Sequence, residues 1–147
     1  ALHLLPGYFA SLKGRGAPVL LTPHQGEFDV LAGETGADAI NKVARAEALA
    51  RTLDTFVLCK GADTVIAAPD GRAVIADRRY SWLSVAGTGD VLAGCMAARL
   101  AGHAQPFDAM TEAGWLHDRA AHIAGPAFSA LQLANALPQA LETCLER

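Results

Sequence analysis

The stretch Phe56–Ala76, FVLCKGADTVIAAPDGRAVIA, decides how this chain folds. The run Phe56–Cys59 predicts a buried strand, because it is short and continuously apolar. Two further apolar runs, Thr64–Ala68 and Ala73–Ala76, flank the sequence Pro69-Asp70-Gly71-Arg72. A proline–aspartate–glycine turn between two such runs predicts a β-hairpin. The stretch therefore supplies three strands of a sheet.

Further elements are predicted upstream of this stretch. Val19–Leu21 is apolar and bounded by turn residues, which predicts a short buried strand followed by the loop Thr22–Glu27. Ala37–Leu53 predicts an amphipathic helix, because apolar residues recur at spacings of three and four. Leu2–Leu12 is expected to be helical, with an interruption at Pro6-Gly7. The apolar positions of the amphipathic helix are Ile40, Val43, Ala46, Ala50 and Leu53.

Helices are predicted downstream of the hairpin, after the loop Tyr80–Gly89. A strand, a helix, a strand, a hairpin and then helices form an α/β pattern. The predicted helices run from Asp90 to about Ala101, from Pro106 or Phe107 to about Gly125, and from Leu131 to Leu145 with a restart at Pro138.

Composition excludes several classes of protein. The chain has 147 residues, of which 52% are hydrophobic and 18% charged, so it can form a core and is not wholly disordered. A net charge of −3 gives no basic footprint for nucleic acid or an anionic membrane. No apolar run is long enough for a transmembrane helix. The three cysteines form no CxxC or zinc spacing, which favours a reducing, cytosolic compartment. The chain begins with Ala1 rather than Met, and we expect it to be a piece of a longer protein.

A glycine-rich loop, Ala86–Gly94 (AGTGDVLAG), carries the strongest functional signal. Gly87 and Gly89 permit backbone angles that other residues avoid, and they let the main chain approach a ligand closely. The helix that starts near Asp90 points free N–H groups and its positive end at this gap, which suits a phosphate. Asp90 can take a proton from a hydroxyl that attacks phosphorus. A simple N-cap on a glycine-rich turn explains the same aspartate.

Two other loops follow predicted strands, and open α/β sheets bind ligands beyond the carboxyl ends of their strands. In Lys60–Thr64, the lysine charge and the threonine hydroxyl can meet phosphate oxygens. An ordinary strand-to-hairpin turn has the same sequence. In Thr22–Glu27, His24 can donate to a substrate and Glu27 can hold a magnesium-bound water. The alternative is a loop that precedes a helix and carries a solvated glutamate.

The remaining candidates favour structural roles. His117 and His122 are five residues apart, about 140° around a helix, so they diverge and do not predict a metal site. The three cysteines, Cys59, Cys95 and Cys144, lack an activating partner and are interpreted as core or surface thiols. Stacking on a base and core packing both remain open for Trp82.

Three motifs occur in a specific order: TPHQGE (22–27), KGADTVIAAPDG (60–71) and VAGTGDVLAG (85–94). Together they resemble the ADP/ATP-dependent NAD(P)H-hydrate dehydratases of the ribokinase-like superfamily. WLHDRAA (115–121) and LANALPQAL (133–141) also look like the closing helices of that family. The family domain is roughly twice as long, so the resemblance predicts that residues 1–147 are its C-terminal half. The expected fold is α/β, a ribokinase-like layered sheet flanked by helices.

The resemblance implies a metabolite-repair reaction. In this family a nucleotide phosphorylates the hydroxyl of hydrated NADH or NADPH, and loss of phosphate then restores NAD(P)H. The resemblance implies ADP as co-substrate, giving AMP and phosphate, with ATP as a possible substitute and Mg²⁺ as cofactor. The expected partners are NAD(P)H hydrate and an NAD(P)H-hydrate epimerase, fused or separate. We also expect a cytoplasmic homo-oligomer that contacts neither nucleic acid nor membrane.

The resemblance also assigns roles to individual residues. His24 matches the hydrate-contacting histidine, and Asp90 matches the substrate-contacting aspartate that acts as the base. Glu27 falls where related kinases carry the glutamate of an N-x-x-E motif that organises magnesium, so it is expected to hold the metal through water. The expected nucleotide-binding residues are Lys60, Gly61, Ala62, Asp63 and Thr64, then Tyr80, Ser81, Trp82, Leu83, Ser84, Val85, Ala86, Gly87, Thr88 and Gly89.

Two other functions fit parts of the sequence. A small-molecule kinase of the same fold would use Gly87–Asp90 equally well, but such kinases tend to carry asparagine where His24 stands. A non-catalytic nucleotide-binding or assembly module would follow if missing strands left an open sheet edge. The dehydratase is favoured because of the TPHQGE motif, and little activity is expected from this piece alone.

Overall fold

A computed structural model describes residues 2–12, 14, 16–33, 39–77, 80–102 and 104–145. The chain divides into two compact units, Ala1–Asp77 and Arg78–Arg147. The first contains the sheet and the second is helical. Among the described helices, none combines the length and the apolar character needed to cross a membrane.

The first unit contains a four-stranded sheet with the order β1-β2-β3-β4. Strand β1 pairs with β2 in parallel, and β2–β3 and β3–β4 are antiparallel. The strands are β1 (Leu20–Leu21), β2 (Phe56–Cys59), β3 (Asp63–Ala67) and β4 (Ala73–Asp77).

The hairpin predicted around residues 69–72 is confirmed. Ala68 N–H donates to Arg72 O at 2.9 Å, which closes the turn between β3 and β4. Gly71 has a φ of +93°, in the region that favours glycine. Asp70 Oδ1 accepts from Arg72 N–H at 3.0 Å, as aspartate does in turns of this kind.

The first unit begins with a 3-10 helix, Leu2–Tyr8, and a short helix α1 (Phe9–Leu12). Helices α2 (Gln25–Ala32) and α3 (Lys42–Leu53) connect β1 to β2 and pack on one face of the sheet. The core residues come from both layers: Leu21, Phe28, Leu31, Ala32, Ala46, Leu49, Ala50, Leu53, Val57, Cys59, Val65 and Ala67.

The predicted start of α3 at Ala37 is wrong where the structure describes it. Asn41 is the N-cap, and its side-chain oxygen accepts from Ala44 N–H at 2.9 Å. Ile40 precedes this cap and is 94% exposed, so it does not belong to the buried face of the helix. Ala37 itself lies outside the described residues. The cap explains the boundary, because asparagine is among the strongest helix-starting residues.

The second unit contains a 3-10 turn, Ser81–Leu83, and three helices, α4 (Thr88–Ala101), α5 (Pro106–Ala124) and α6 (Ala130–Leu145). Gly87 rather than Asp90 precedes the first turn of α4, so the predicted start is late by two residues. The predicted restart of α6 at Pro138 is also wrong, because the helix continues through this exposed proline. The core consists of Leu83, Leu116, Ala120, Ala121, Phe128, Leu133, Ala136 and Ala140.

Candidate functional site

The first candidate loop connects β1 to α2 and contains His24 and Glu27. Because α2 begins at Gln25, the loop is shorter than predicted and Glu27 lies in the first turn of the helix. His24 Nδ1 accepts from Glu27 N–H at 3.2 Å, and Glu27 Oε2 accepts from His24 N–H at 3.1 Å. This reciprocal pair is a capping box, with histidine in place of the usual serine or threonine. The capping box fixes the imidazole at the start of α2. The side chain is 64% exposed, so it remains accessible to a ligand.

The second candidate loop, Lys60–Thr64, lies beside the first. Lys60 N–H donates to Pro23 O at 2.8 Å, which extends the contact between β1 and β2 past the strand ends. Both loops therefore leave the same carboxyl edge of the parallel pair. This edge is where open α/β sheets bind ligands.

Lys42, at the start of α3, holds the second loop. Its Nζ donates to Asp63 O and, at 3.1 Å, to Asp63 Oδ1. The lysine side chain is only 16% exposed. A Cβ on Gly61 would lie 2.6 Å from Nζ, so a glycine there lets the lysine pass close to the backbone. The sequence alone does not reveal Lys42, because it lies in no motif and 21 residues separate it from Asp63.

Lys42 and burial set the charge states around this loop. The hydrogen bond from Lys42 holds the pKa of the Asp63 carboxyl below its ordinary value. Burial raises the pKa of the Cys59 thiol, at the end of β2, to about 11, which makes this thiol a poor nucleophile at neutral pH. Cys59 and Cys95 are buried and Cys144 is exposed, which confirms the interpretation of core and surface thiols.

The third candidate loop ends at the start of α4. Gly87 is the N-cap of this helix, with φ +86° and ψ −12°, a left-handed conformation that side chains disfavour. A Cβ on Gly87 would lie 3.0 Å from the Cβ of Ala130. Both the backbone angle and the close neighbour therefore require glycine at this position.

The first turn of α4 contains three backbone N–H groups and the side chain of Asp90. Thr88 N–H donates to Val85 O at 3.3 Å, and Asp90 N–H donates to Gly87 O at 3.1 Å. Among the described residues, no acceptor faces the N–H of Gly89 between them. Asp90 is exposed, in the first turn of the helix. The arrangement can hold an anion at the helix start and accept a proton beside it.

Thr88, the first residue of α4, is held by contacts of its hydroxyl and of its backbone oxygen. Its Oγ1 lies 2.8 Å from both Leu83 O and Val85 O and can donate to either. His117 Nε2 from α5 lies 2.8 Å from Thr88 O. Because a carbonyl oxygen only accepts, the imidazole donates from Nε2. The sequence alone does not reveal this contact of His117, since 29 residues separate it from Thr88.

An aromatic cluster forms at the start of the second predicted nucleotide-binding stretch. Tyr80 Oη and His122 Nδ1 are 2.7 Å apart and share a hydrogen bond. The rings of Tyr80 and Trp82 have centroids 4.8 Å apart. Trp82 packs against the core of the second unit, and its Nε1 is buried without an acceptor among the described residues. His117 and His122 thus have separate partners, which agrees with their predicted divergence.

The other predicted site residues differ in accessibility. Thr64 is buried, with Oγ1 3.4 Å from Gly61 O, so its hydroxyl faces the loop itself. His24, Glu27 and Lys60–Thr64 belong to the first unit, and Tyr80–Asp90 belongs to the second. Ala62, Ser81, Ser84, Val85 and Ala86 are exposed.

Comparison with known proteins gives a consistent result. The family model described as NAD(P)H-hydrate dehydratase matches residues 6–143. A bifunctional NAD(P)H-hydrate repair enzyme of Salinibacter ruber is 42% identical over 113 residues, which is 76% of this chain and 21% of that protein. The ADP-dependent (S)-NAD(P)H-hydrate dehydratase of Bacillus subtilis is 37% identical over 110 residues, which is 74% of this chain and 40% of that protein.

A solved structure gives the same relationship. The ADP/ATP-dependent NAD(P)H-hydrate dehydratase from Bacillus subtilis, co-crystallised with ATP/Mg²⁺, matches with a TM-score of 0.77 and 31% identity. The match covers 88% of this chain and 49% of that one. The chain therefore spans about half the length of this structure, and less of the curated relatives.

Proposed function

This chain belongs to the NAD(P)H-hydrate dehydratase family and has a ribokinase-like α/β fold, and from that membership we propose a function for it. The chain supplies the nucleotide-binding and catalytic loops of an ADP-dependent dehydratase. The enzyme converts NAD(P)H hydrate to NAD(P)H and releases AMP and phosphate. Residues 1–147 act as one part of a longer catalytic domain.

The proposed chemistry begins with proton transfer. The hydroxyl of the hydrate attacks the terminal phosphorus of ADP, and Asp90 accepts the hydroxyl proton as AMP leaves. The carbon–oxygen bond of the phosphorylated hydrate then breaks. Departure of phosphate and of a proton from the neighbouring carbon restores the dihydronicotinamide. The balance is one hydrate and one ADP consumed for one NAD(P)H, one AMP and one phosphate.

In the proposed reaction, each loop binds a different part of the nucleotide or the hydrate. The start of α4, with Gly87 and the N–H of Gly89, binds the transferred phosphoryl group, because a helix N-terminus stabilises an anion. Lys60–Thr64 and Tyr80–Ala86 bind the remainder of the nucleotide. His24 contacts the hydrate through its exposed imidazole.

Magnesium suits the proposed reaction as an ion that the nucleotide phosphates and water mainly hold. Among the described residues, no group of three His, Cys, Asp or Glu side chains forms a metal site. Glu27 supplies one carboxylate, with Oε2 engaged by His24 N–H. One carboxylate suits Mg²⁺, which keeps several waters and binds substrate phosphates. The ion would neutralise phosphate charge when bound.

The observation that carries the proposal is the start of α4. There, the left-handed Gly87 and the exposed carboxylate of Asp90 lie within a single helical turn. Phosphoryl transfer needs positioning and charge stabilisation more than covalent chemistry, and this turn offers an anion site beside a base.

The decisive experiment separates binding from turnover. Binding of ADP, ATP and AMP with Mg²⁺ is measured calorimetrically on this chain. Turnover is followed as NADH recovered from its hydrate, in a protein that joins this chain to the remaining part of the domain found in longer relatives. Asp90→Asn is expected to retain ADP binding and to lose at least about 100-fold in kcat, the usual contribution of a positioned base.

Asp108→Asn is the matched control, because Asp108 is also an exposed aspartate in the first turn of a helix, α5. It is expected to leave kcat unchanged. Near-normal turnover by Asp90→Asn would refute the base, and absence of nucleotide binding by the wild type would refute the nucleotide site.

A reducing, cytoplasmic compartment fits the three free cysteines of the described chain. Bifunctional repair enzymes among the relatives support an epimerase as partner, fused or separate. Light scattering tests the proposed homo-oligomer, which a monomeric mass would contradict.

A further inference from the structure

His117 stands out because it is buried and touches the candidate phosphate site from behind. Its residue is 2% exposed, and Nε2 lies 2.8 Å from the backbone oxygen of Thr88. Buried polar side chains are costly unless they are hydrogen-bonded, so this contact fixes the histidine in one orientation. The proposed reaction gives the imidazole no role of its own.

The oxygen of Thr88 belongs to the same peptide unit as the N–H of Gly89. A trans peptide is planar, and its C=O and N–H point in opposite directions. A hydrogen bond that fixes the Thr88 oxygen therefore also fixes the direction of the Gly89 N–H. That N–H is the group in the first turn of α4 that faces no acceptor among the described residues.

The same hydrogen bond also strengthens the donor. Hydrogen bonding to a carbonyl polarises the peptide, so its N–H becomes a better donor. The hydroxyl of Thr88, 2.8 Å from Leu83 O and from Val85 O, anchors the residue on its other side. The peptide is thus held before any ligand arrives, which lowers the cost of binding.

We propose that His117 is a positioning residue: its Nε2–H donates to Thr88 O and aims the Gly89 N–H at the terminal phosphate of the nucleotide. This inference rests on the proposed function, which puts that phosphate at the start of α4. His117 touches neither nucleotide nor hydrate, and it acts on the phosphate through the Thr88–Gly89 peptide.

The test compares affinities for ADP and AMP, because only ADP carries the phosphate that Gly89 binds. Wild type is expected to prefer ADP. His117→Phe is expected to lower the ratio of ADP affinity to AMP affinity about tenfold. This is the effect expected from one hydrogen bond to a charged group. His117→Gln, whose amide can replace the Nε2–H donor, is expected to restore the ratio. Calorimetric titration of each variant gives the two dissociation constants.

Leu116→Ala is the matched control for a purely structural effect. Leu116 is a buried neighbour on α5 whose apolar side chain cannot donate a hydrogen bond to Thr88 O. It is expected to lower stability and to leave the ratio of the two affinities unchanged. An equal loss of preference in Leu116→Ala and His117→Phe would overturn the inference, as would an unchanged ratio in His117→Phe.

The protonation of His117 can also be measured on the unmodified chain, which does not depend on a variant that folds. Nitrogen-15 NMR reports which imidazole nitrogen carries the proton, and the inference requires a proton on His117 Nε2. A neutral His117 protonated only on Nδ1 would overturn it. A wild type that fails to bind ADP contradicts the proposed function instead, so the two failures are distinct.

Discussion

The Lys60–Thr64 loop and the start of α4 are both proposed to bind the nucleotide, yet they are built in different ways. A charged side chain holds the first: Lys42 bonds to both the backbone and the carboxylate of Asp63. Neutral groups hold the second: the backbone of Gly87 and the buried contacts of Thr88. One loop depends on electrostatics near solvent, and the other depends on geometry inside a core.

The difference determines how each loop tolerates change. An ion pair whose aspartate is 64% exposed contributes little to stability and is screened by salt. A left-handed backbone and buried hydrogen bonds have few substitutes, so their loss is expensive. Substitutions at the start of α4 are therefore expected to lower the free energy of unfolding more than equivalent ones in the Lys60–Thr64 loop.

Gly87→Val is expected to have the largest effect. A β-branched residue disfavours φ +86°, and its Cβ would lie 3.0 Å from that of Ala130. We expect a loss of about 3 kcal/mol in the free energy of unfolding, together with loss of ADP binding. Urea denaturation and calorimetric titration measure the two effects.

Gly94→Ala is the matched control, because Gly94 lies within α4 and a Cβ there would meet nothing within 4 Å. It is expected to raise stability by about 0.5–1 kcal/mol, since alanine is the better helix former. If both substitutions destabilised alike, the argument from the left-handed cap would be wrong.

Each of the two loops contains a buried threonine that can be changed to valine. Thr88→Val removes a hydroxyl 2.8 Å from two backbone oxygens, whereas Thr64→Val removes one 3.4 Å from its acceptor. Both threonines are buried. We expect Thr88→Val to lower the free energy of unfolding by about 2 kcal/mol and Thr64→Val to lower it by less than about 1 kcal/mol. Chemical denaturation measures both, and equal losses would remove the contrast between the loops.

Local patterns predicted most of the fold. Strand β2 and the hairpin were predicted because an apolar run and a Pro-Asp-Gly turn act within a few residues. The predicted start of α3 is too early because Ile40 fits the helical period, although the helix begins only after the cap at Asn41. The restart at Pro138 was wrong because an exposed position in α6 tolerates the missing N–H.

Some residues of the candidate site can likewise be predicted from local sequence, and others cannot. The glycine-rich loop could be predicted from its own residues, because a glycine in such a loop indicates a positive φ, and Gly87 has one. Lys42 and His117 were missed, since each reaches its loop from another helix across 21 and 29 residues respectively. Contacts between distant residues leave no periodic signal in a single sequence.

Lys42→Met is expected to have the smallest effect and to depend on pH. In the folded protein, Lys42 lowers the pKa of Asp63 below its ordinary value of 3.8. The stabilisation is therefore present above that value and is lost as pH falls through the lower folded pKa. We expect the variant to lose less than about 1 kcal/mol at pH 7, and the difference from wild type to shrink in acid.

The pKa of Asp63 separates this local effect from general damage to α3. NMR titration of Lys42→Met is expected to give a pKa near the ordinary value, because the lysine supplies the largest lowering contribution. Arg45→Met is the matched control: it removes another cation of α3, one that pairs with Asp29 at 2.7 Å, and should leave the Asp63 pKa unchanged. A pKa still depressed in Lys42→Met would show that the loop does not depend on the lysine. The electrostatic half of the comparison would then fail.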